Sequence, residues 1–152
     1  ENGVSPRADY ERRGRDAHQN TGYELALSLF GLEEPPSAIF VTNHLLMLGV
    51  MQAARDCGYA VPKTLSLVGF DDTPWAGLLD PPLTTVAQPM RALGSTAANL
   101  LIDRVDRGYR GEPRRVILPP KLIVRGSVAP TADMPRKSRS RLGKAMPKIR
   151  SS

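Results

Sequence analysis

The chain has 152 residues, of which 41% are apolar, enough for one domain with a packed core and too many for general disorder. The single cysteine, Cys57, excludes an intrachain disulfide framework and a multi-thiolate zinc site, and no apolar run is long enough for a membrane span. The net charge of +6 comes wholly from the seven Lys/Arg and one Asp of residues 131–152, so residues 1–130 are neutral overall and do not indicate nucleic-acid binding.

Apolar spacing and turn residues predict helices and strands in alternation after a loop over residues 1–19. The first helix follows Asn20 or Thr21 as N-cap and ends at Gly31. The other predicted elements are a strand at Ala38–Val41 buried on both faces, a helix from the cap Asn43 to Gly58, a strand at Leu65–Phe70, an extended segment at Leu83–Val86, a helix at Met90–Asp106, and short strands at Val116–Leu118 and Leu122–Val124. No periodicity follows Ala129, which predicts a disordered basic tail over 131–152.

This order predicts an α/β fold with an open, mostly parallel sheet flanked by helices. Ligands of such sheets bind beyond the carboxyl ends of the strands. Asn43 and the pair Asp71 and Asp72 stand at such ends. A carboxylate there can accept hydrogen bonds from the hydroxyls of a sugar, or can simply cap a turn or pair with an arginine. The Asn43 amide can likewise contact a ligand or serve only as a helix cap.

No catalytic constellation is present in the sequence. The two histidines, His18 and His44, lack the spacing of metal ligands, and no GxSxG, P-loop or GxGxxG motif occurs. Asp71 and Asp72 are adjacent, so their side chains should point apart rather than form an acid/base pair. We therefore predict a binding protein rather than an enzyme, with no catalytic residue, metal or cofactor.

Five motifs follow one another in the order of a known family. They are N-x-x-x-x-x-G from Asn43, G-x-x-V-P from Gly58, L-V-G-F-D-D from Leu67, P-P-L-T-T-V-x-Q-P from Pro81 and L-P-x-x-L-I-V-R-x-S from Leu118. Over roughly residues 22–128 the chain resembles the C-terminal half of a LacI/GalR (lac repressor) family transcription regulator. Each motif alone is weak, but the ordered set is specific.

The resemblance implies a periplasmic-binding-protein-like lobe, incomplete here, whose missing parts are an N-terminal helix-turn-helix, a hinge and most of the first lobe. Residues 1–130 would be the C-terminal portion of the effector-binding domain. By position, Asp71 matches the carboxylate that binds effector hydroxyls and Asn43 the amide opposite it. Gln88 and Met90 match positions that line the pocket, and Leu93 follows more weakly.

The same resemblance places Leu48 and the Trp75 region where C-terminal lobes pair into dimers. Trp75 could instead stack on a sugar or pack within its own loop, and packing is the favoured interpretation. Members often carry an aromatic residue where this chain has Ala17, so stacking from that position is not expected. The tail lacks the leucine repeat that forms tetramers in the family, which favours a dimer.

The sequence thus predicts the effector-sensing part of a cytoplasmic transcription regulator, expected to be a repressor. Its partners would be a sugar or nucleoside effector, operator DNA contacted through the missing domain, and a second copy of the chain, with no membrane contact. The alternative is an extracytoplasmic solute-binding protein of a sugar transporter. An enzyme on a related α/β scaffold is disfavoured because no catalytic set is present.

Overall fold

The computed structural model describes residues 7–130, so the predicted tail at 131–152 lies outside the described residues. The elements are, in chain order, a 3-10 turn at Ala8–Tyr10, helix α1 at Gln19–Phe30, strand β1 at Ala38–Val41, helix α2 at His44–Asp56, strand β2 at Ser66–Phe70, a 3-10 turn at Pro74–Gly77, strand β3 at Thr84–Ala87, helix α3 at Met90–Val105 and strand β4 at Lys121–Ile123. The predicted alternation of helices and strands is confirmed.

The strands form one sheet in the order β1-β2-β3-β4. The first three strands are parallel and β4 runs antiparallel to β3 at the edge. Helix α2 makes the crossover between β1 and β2 that a parallel pair requires. The predicted open, mostly parallel α/β sheet is therefore confirmed. The carboxyl ends of β1, β2 and β3 lie at the same end of the sheet.

Helices α1 and α2 pack against each other and contribute to the buried core together with β1 and β2. Residues Ile39 and Leu67, which are paired in the sheet, are buried in this core. Helix α2 begins at the predicted cap Asn43. Helix α1 begins earlier than predicted, with His18 at its cap, because the Asp16 carboxylate accepts from the His18 N–H and the Thr21 hydroxyl.

Strand β1 is not buried on both faces, contrary to the prediction from its continuous apolar run. Ile39 and Val41 are buried, whereas Ala38 and Phe40 are exposed, and Phe40 keeps 55% of its surface accessible. Among the aromatic pairs described, Phe40 has one partner, Phe70. The two rings are perpendicular, with 6.5 Å between their centroids. Among residues 7–130, one face of the sheet is therefore left exposed at β1.

The predicted strand at Val116–Leu118 is also wrong, since residues 116–118 have no regular structure. The apolar residues are present, but Val116 and Ile117 are 50% and 74% exposed and pair with no neighbouring strand. A strand is stabilised by its cross-strand and packing partners rather than by composition alone. Helix α3 is formed as predicted, yet it has no buried residue, and within residues 7–130 no helix is long and apolar enough to cross a membrane.

The segment after β4 is fixed to the sheet by Ser127, which is only 1% exposed. Its hydroxyl donates to the Leu67 carbonyl at 2.6 Å and accepts from the Thr84 N–H at 2.8 Å, and its own carbonyl accepts from the Leu67 N–H. This single side chain thus connects the C-terminal segment to β2 and β3.

Ser127→Ala should destabilise the intact protein by about 2 kcal/mol, because it leaves a buried backbone N–H without its partner. Chemical denaturation would measure the loss. Ser95→Ala is the matched control, since the Ser95 hydroxyl is exposed on α3 and bonds a carbonyl of its own helix at 3.2 Å. Equal stability of the two variants would contradict the role given to Ser127.

Candidate functional site

The candidate site lies at the carboxyl ends of β1, β2 and β3. Val41 is paired with Gly69, so Asn43 and Asp71, each two residues further along, are level at the ends of neighbouring strands. Strands in a sheet are about 5 Å apart, which places these polar residues within reach of one small molecule. Gln88 comes directly after β3, beside them.

Asn43 serves as the N-cap of α2. Its Oδ1 accepts hydrogen bonds from the N–H groups of Leu45 at 2.8 Å and Leu46 at 3.3 Å. The cap therefore uses the amide oxygen, while the two N–H donors of the same amide are available to an acceptor. The capping and ligand-binding interpretations are compatible, since they use different atoms of one side chain.

Asp71 and Gln88 are in direct contact. The Gln88 Nε2 donates to the Asp71 Oδ1 at 2.6 Å, and the Asp71 N–H donates to the Val86 carbonyl at 3.0 Å. The other Asp71 carboxylate oxygen remains an acceptor for ligand hydroxyls. Asp71 has φ 73°, in the left-handed region that non-glycine residues seldom adopt. The site thus offers a carboxylate oxygen as an acceptor and the Asn43 amide N–H groups as donors, a combination suited to hydroxyl recognition.

Asp72 shares no hydrogen-bond partner with Asp71 among the described residues. Its carboxylate forms a two-pronged ion pair with Arg125, at 2.7 Å and 3.0 Å, and accepts from the Thr85 hydroxyl at 2.8 Å. The hydrogen bond from Arg125 holds the pKa of the Asp72 carboxyl below its usual value, and Asp72 in turn raises the pKa of Arg125. Asp72 is therefore an ion-pair partner in the sheet rather than a second ligand.

The remaining residues of the predicted pocket lie on α3. Met90 begins the helix and is 66% exposed, while Leu93 is 36% exposed one turn later. The Met90 N–H donates to the Gln88 carbonyl at 2.9 Å, so the start of α3 is directly joined to the site. Within the described residues no residue of α3 is buried, so neither side chain is enclosed there.

Trp75 and Leu48 lie elsewhere. Trp75, in the 3-10 turn after β2, is partly buried against the core, which agrees with the favoured packing interpretation. Leu48 lines a cavity of about 580 Å³ with Met51 and Leu79. A second cavity, of about 450 Å³, lies beside β1 and α1. The linings of these two cavities do not include Asn43, Asp71 or Gln88, which are each half-buried at the strand ends.

The ion pair between Arg125 and Asp72 was not predicted from the sequence. The signal was present in the motif LIVRGS, but the partner of its arginine lies 53 positions away. In residues 7–130 no group of three or more His, Cys, Asp or Glu side chains is placed to hold a metal ion. The site is built from hydrogen-bonding groups.

Comparison with known proteins identifies the family. A family model described as periplasmic binding protein-like domain matches residues 1–128. The chain is 44% identical over 95 residues to the HTH-type transcriptional regulator DegA of Bacillus subtilis, covering 62% of this chain and 28% of DegA. The chain therefore spans less than a third of the length of that curated relative.

Solved structures agree in fold. A regulatory protein of the LacI family from Chloroflexus aggregans superposes with a TM-score of 0.72 at 34% identity, over 83% of this chain and 45% of that one. A LacI family transcriptional regulator from Enterococcus faecium with bound ribose gives a TM-score of 0.65 at 31% identity, over 74% and 41% of the two chains. The chain belongs to the periplasmic binding protein-like domain family, in the branch that the LacI-family regulators represent.

Proposed function

We propose that this chain is the effector-sensing part of a transcription regulator that binds a sugar-like molecule and couples it to operator DNA. The observation that carries the proposal is the Asp71–Gln88 pair, level with Asn43 at the strand ends. The ribose bound by the Enterococcus faecium relative supports a polyhydroxylated ligand. The effector would be a sugar or nucleoside, and the protein would bind it without changing it.

Each side chain has a separate task in this proposal. The Asp71 carboxylate accepts hydrogen bonds from ligand hydroxyls, while Gln88 donates to its Oδ1 at 2.6 Å. Asn43 donates from its amide while its oxygen continues to cap α2. A charged acceptor forms stronger hydrogen bonds than a neutral one, so Asp71 should contribute most of the affinity.

Coupling to DNA would follow from the position of α3. The chain leaves β3 through Gln88 and Pro89 and enters a helix that has no buried side chain, although Leu101 and Val105 are apolar and 62% and 70% exposed. We infer that a second lobe packs on this helix. A ligand that prefers one arrangement of the lobes shifts the affinity for DNA by its differential binding free energy.

The assembly would be a cytoplasmic homodimer acting as a repressor. The cavity that Leu48 lines with Met51 and Leu79, next to the 85% exposed Leu78, supports pairing of two copies on this side of α2. DNA would be bound by a helix-turn-helix outside this chain. The relationship to regulators such as DegA supports this proposal over a transport receptor.

The test uses the intact product of the gene. Its melting temperature would be measured with a panel of sugars and nucleosides that starts with ribose. Operator binding would then be measured with and without each compound that raises the melting temperature. A compound that both stabilises the protein and changes its affinity for DNA supports the proposal. Stabilisation with no change in DNA binding would favour a solute-binding protein instead.

A further inference from the structure

The backbone of Asp71 has an uncommon conformation, and the residues of the effector site contact Asp71 only at its N–H and at one carboxylate oxygen. Asp71 is the one non-glycine residue with positive φ in residues 7–130. The left-handed conformation costs most L-residues about 1–2 kcal/mol and is less unfavourable for Asp, so the contacts around Asp71 help to hold it there. Gln88 holds the end of the Asp71 side chain, and the Val86 carbonyl holds its N–H. Neither contact fixes the chain after Asp71.

A restraint on the chain after Asp71 comes from Asp72. Both of its carboxylate oxygens are held by the Arg125 guanidinium, and the Thr85 hydroxyl donates to one of them. The ion pair is largely shielded from water, with side-chain exposures of 25% for Asp72 and 21% for Arg125. A planar guanidinium that grips both oxygens fixes orientation as well as distance.

Arg125 is itself firmly held. Its guanidinium also donates to the Leu83 carbonyl at 2.7 Å, and its backbone N–H donates to the Thr84 hydroxyl at 2.9 Å. These contacts fix Arg125, just after β4, to the start of β3. The two acids that follow β2 are consequently anchored by different partners, Asp71 by Gln88 and Asp72 by Arg125.

We propose that Asp72 and Arg125 are positioning residues that hold Asp71 in its left-handed conformation and so aim its carboxylate at the effector. The inference rests on the proposed function for its ligand but concerns a conformation that exists without ligand. Breaking the two-pronged ion pair lets the Asp71–Asp72 peptide relax toward an ordinary extended geometry. The Asp71 carboxylate then loses its fixed direction while the core remains folded.

The first test needs no ligand. Hydrogen exchange of the intact gene product would be followed by mass spectrometry in peptides covering residues 66–72 and 44–56, for the wild type, Arg125→Lys and Asp72→Asn. Both variants should speed exchange in the peptide 66–72 by about tenfold while changing the α2 peptide little, because the opening is local. Arg107→Lys is the control, since Arg107 follows α3 and pairs with Asp103 of that helix at 2.9 Å, away from the site.

Two results would overturn the inference. Equal acceleration in both peptides would mean that the ion pair only stabilises the whole domain. Unchanged exchange in the peptide 66–72 of both variants would mean that Asp71 keeps its geometry without the pair. Two variants are used because they change the ion pair in different ways. Asp72→Asn removes the negative charge, whereas Arg125→Lys keeps the positive charge and loses only the two-pronged hydrogen bonding of the guanidinium.

A second measurement connects the pair to the ligand. With ribose, or with the compound that gives the largest stabilisation in the panel, Arg125→Lys should weaken binding by about tenfold with operator affinity unchanged, since it removes orientation rather than a ligand contact. Unaltered ligand affinity in Arg125→Lys would refute the positioning role. A wild-type protein that binds nothing in the panel would refute the proposed function, and the exchange result would still decide whether the pair controls Asp71.

Discussion

Asp71→Asn is expected to lower the affinity of the intact regulator for its sugar effector by about a hundredfold. Hydrogen bonds to a charged group contribute about 1.5–3 kcal/mol each, and every 1.4 kcal/mol is a factor of ten. The variant retains an oxygen that can accept from Gln88, but it places an amide donor where ligand hydroxyls need an acceptor. Isothermal titration calorimetry would measure the change.

Asparagine is a sharper test at this position than alanine. Asp71 has φ 73°, and asparagine tolerates the left-handed region, whereas alanine would add backbone strain to the loss of the carboxylate. Operator binding without effector should be unchanged in Asp71→Asn. Asp106→Asn, which removes an equal charge at the C-cap of α3, is the control for net charge. An affinity within about twofold of the wild type would remove Asp71 from the site.

The places of Asn43 and Asp71 in the fold could be predicted from the sequence because their signals are local. Asn43 follows an apolar strand and precedes a helical repeat, so its capping role could be read from the neighbouring residues, and the structure confirms it. Asp71 likewise ends a strand that is recognisable by composition. Asn43 and Asp71 are also expected to lie side by side, because the carboxyl ends of parallel strands are at the same end of a sheet.

What the sequence could not predict depends on contacts between distant segments. The Asp72–Arg125 pair joins the end of β2 to the residues after β4, and it depends on the antiparallel pairing of β3 and β4. The open face of β1 is a similar case. An apolar run shows that burial is possible, but the 55% exposure of Phe40 is set by what covers that face.

The close approach of α1 and α2 also escaped the sequence analysis, and it leads to the prediction with the largest effect on stability. A Cβ at Gly49 would lie 2.0 Å from the Gln19 carbonyl oxygen and 2.5 Å from the Tyr23 backbone nitrogen. A Cβ at Gly22 would lie 2.2 Å from the Leu46 carbonyl oxygen. The two helix backbones therefore touch at these glycines, and no side-chain rotation can relieve either clash.

Gly49→Ala should destabilise the intact protein by about 3 kcal/mol or more, since the helices must separate and lose core packing. Alanine favours a helix over glycine by about 1 kcal/mol, which offsets only part of this cost. Thermal denaturation should show a drop in Tm of about 10 °C. Glu24→Ala is the control, because it introduces alanine at an exposed position of α1. It should leave stability unchanged or slightly raise it.

A double variant tests the origin of the effect. If both glycines permit the same close approach of α1 to α2, separation of the helices by Gly49→Ala should already make room for Gly22→Ala. The two changes together should then cost less than their sum, by an interaction energy of about 1 kcal/mol or more. Strict additivity would mean that each clash is relieved by its own local shift. A Tm for Gly49→Ala equal to that of the wild type would mean that the helices are not in backbone contact.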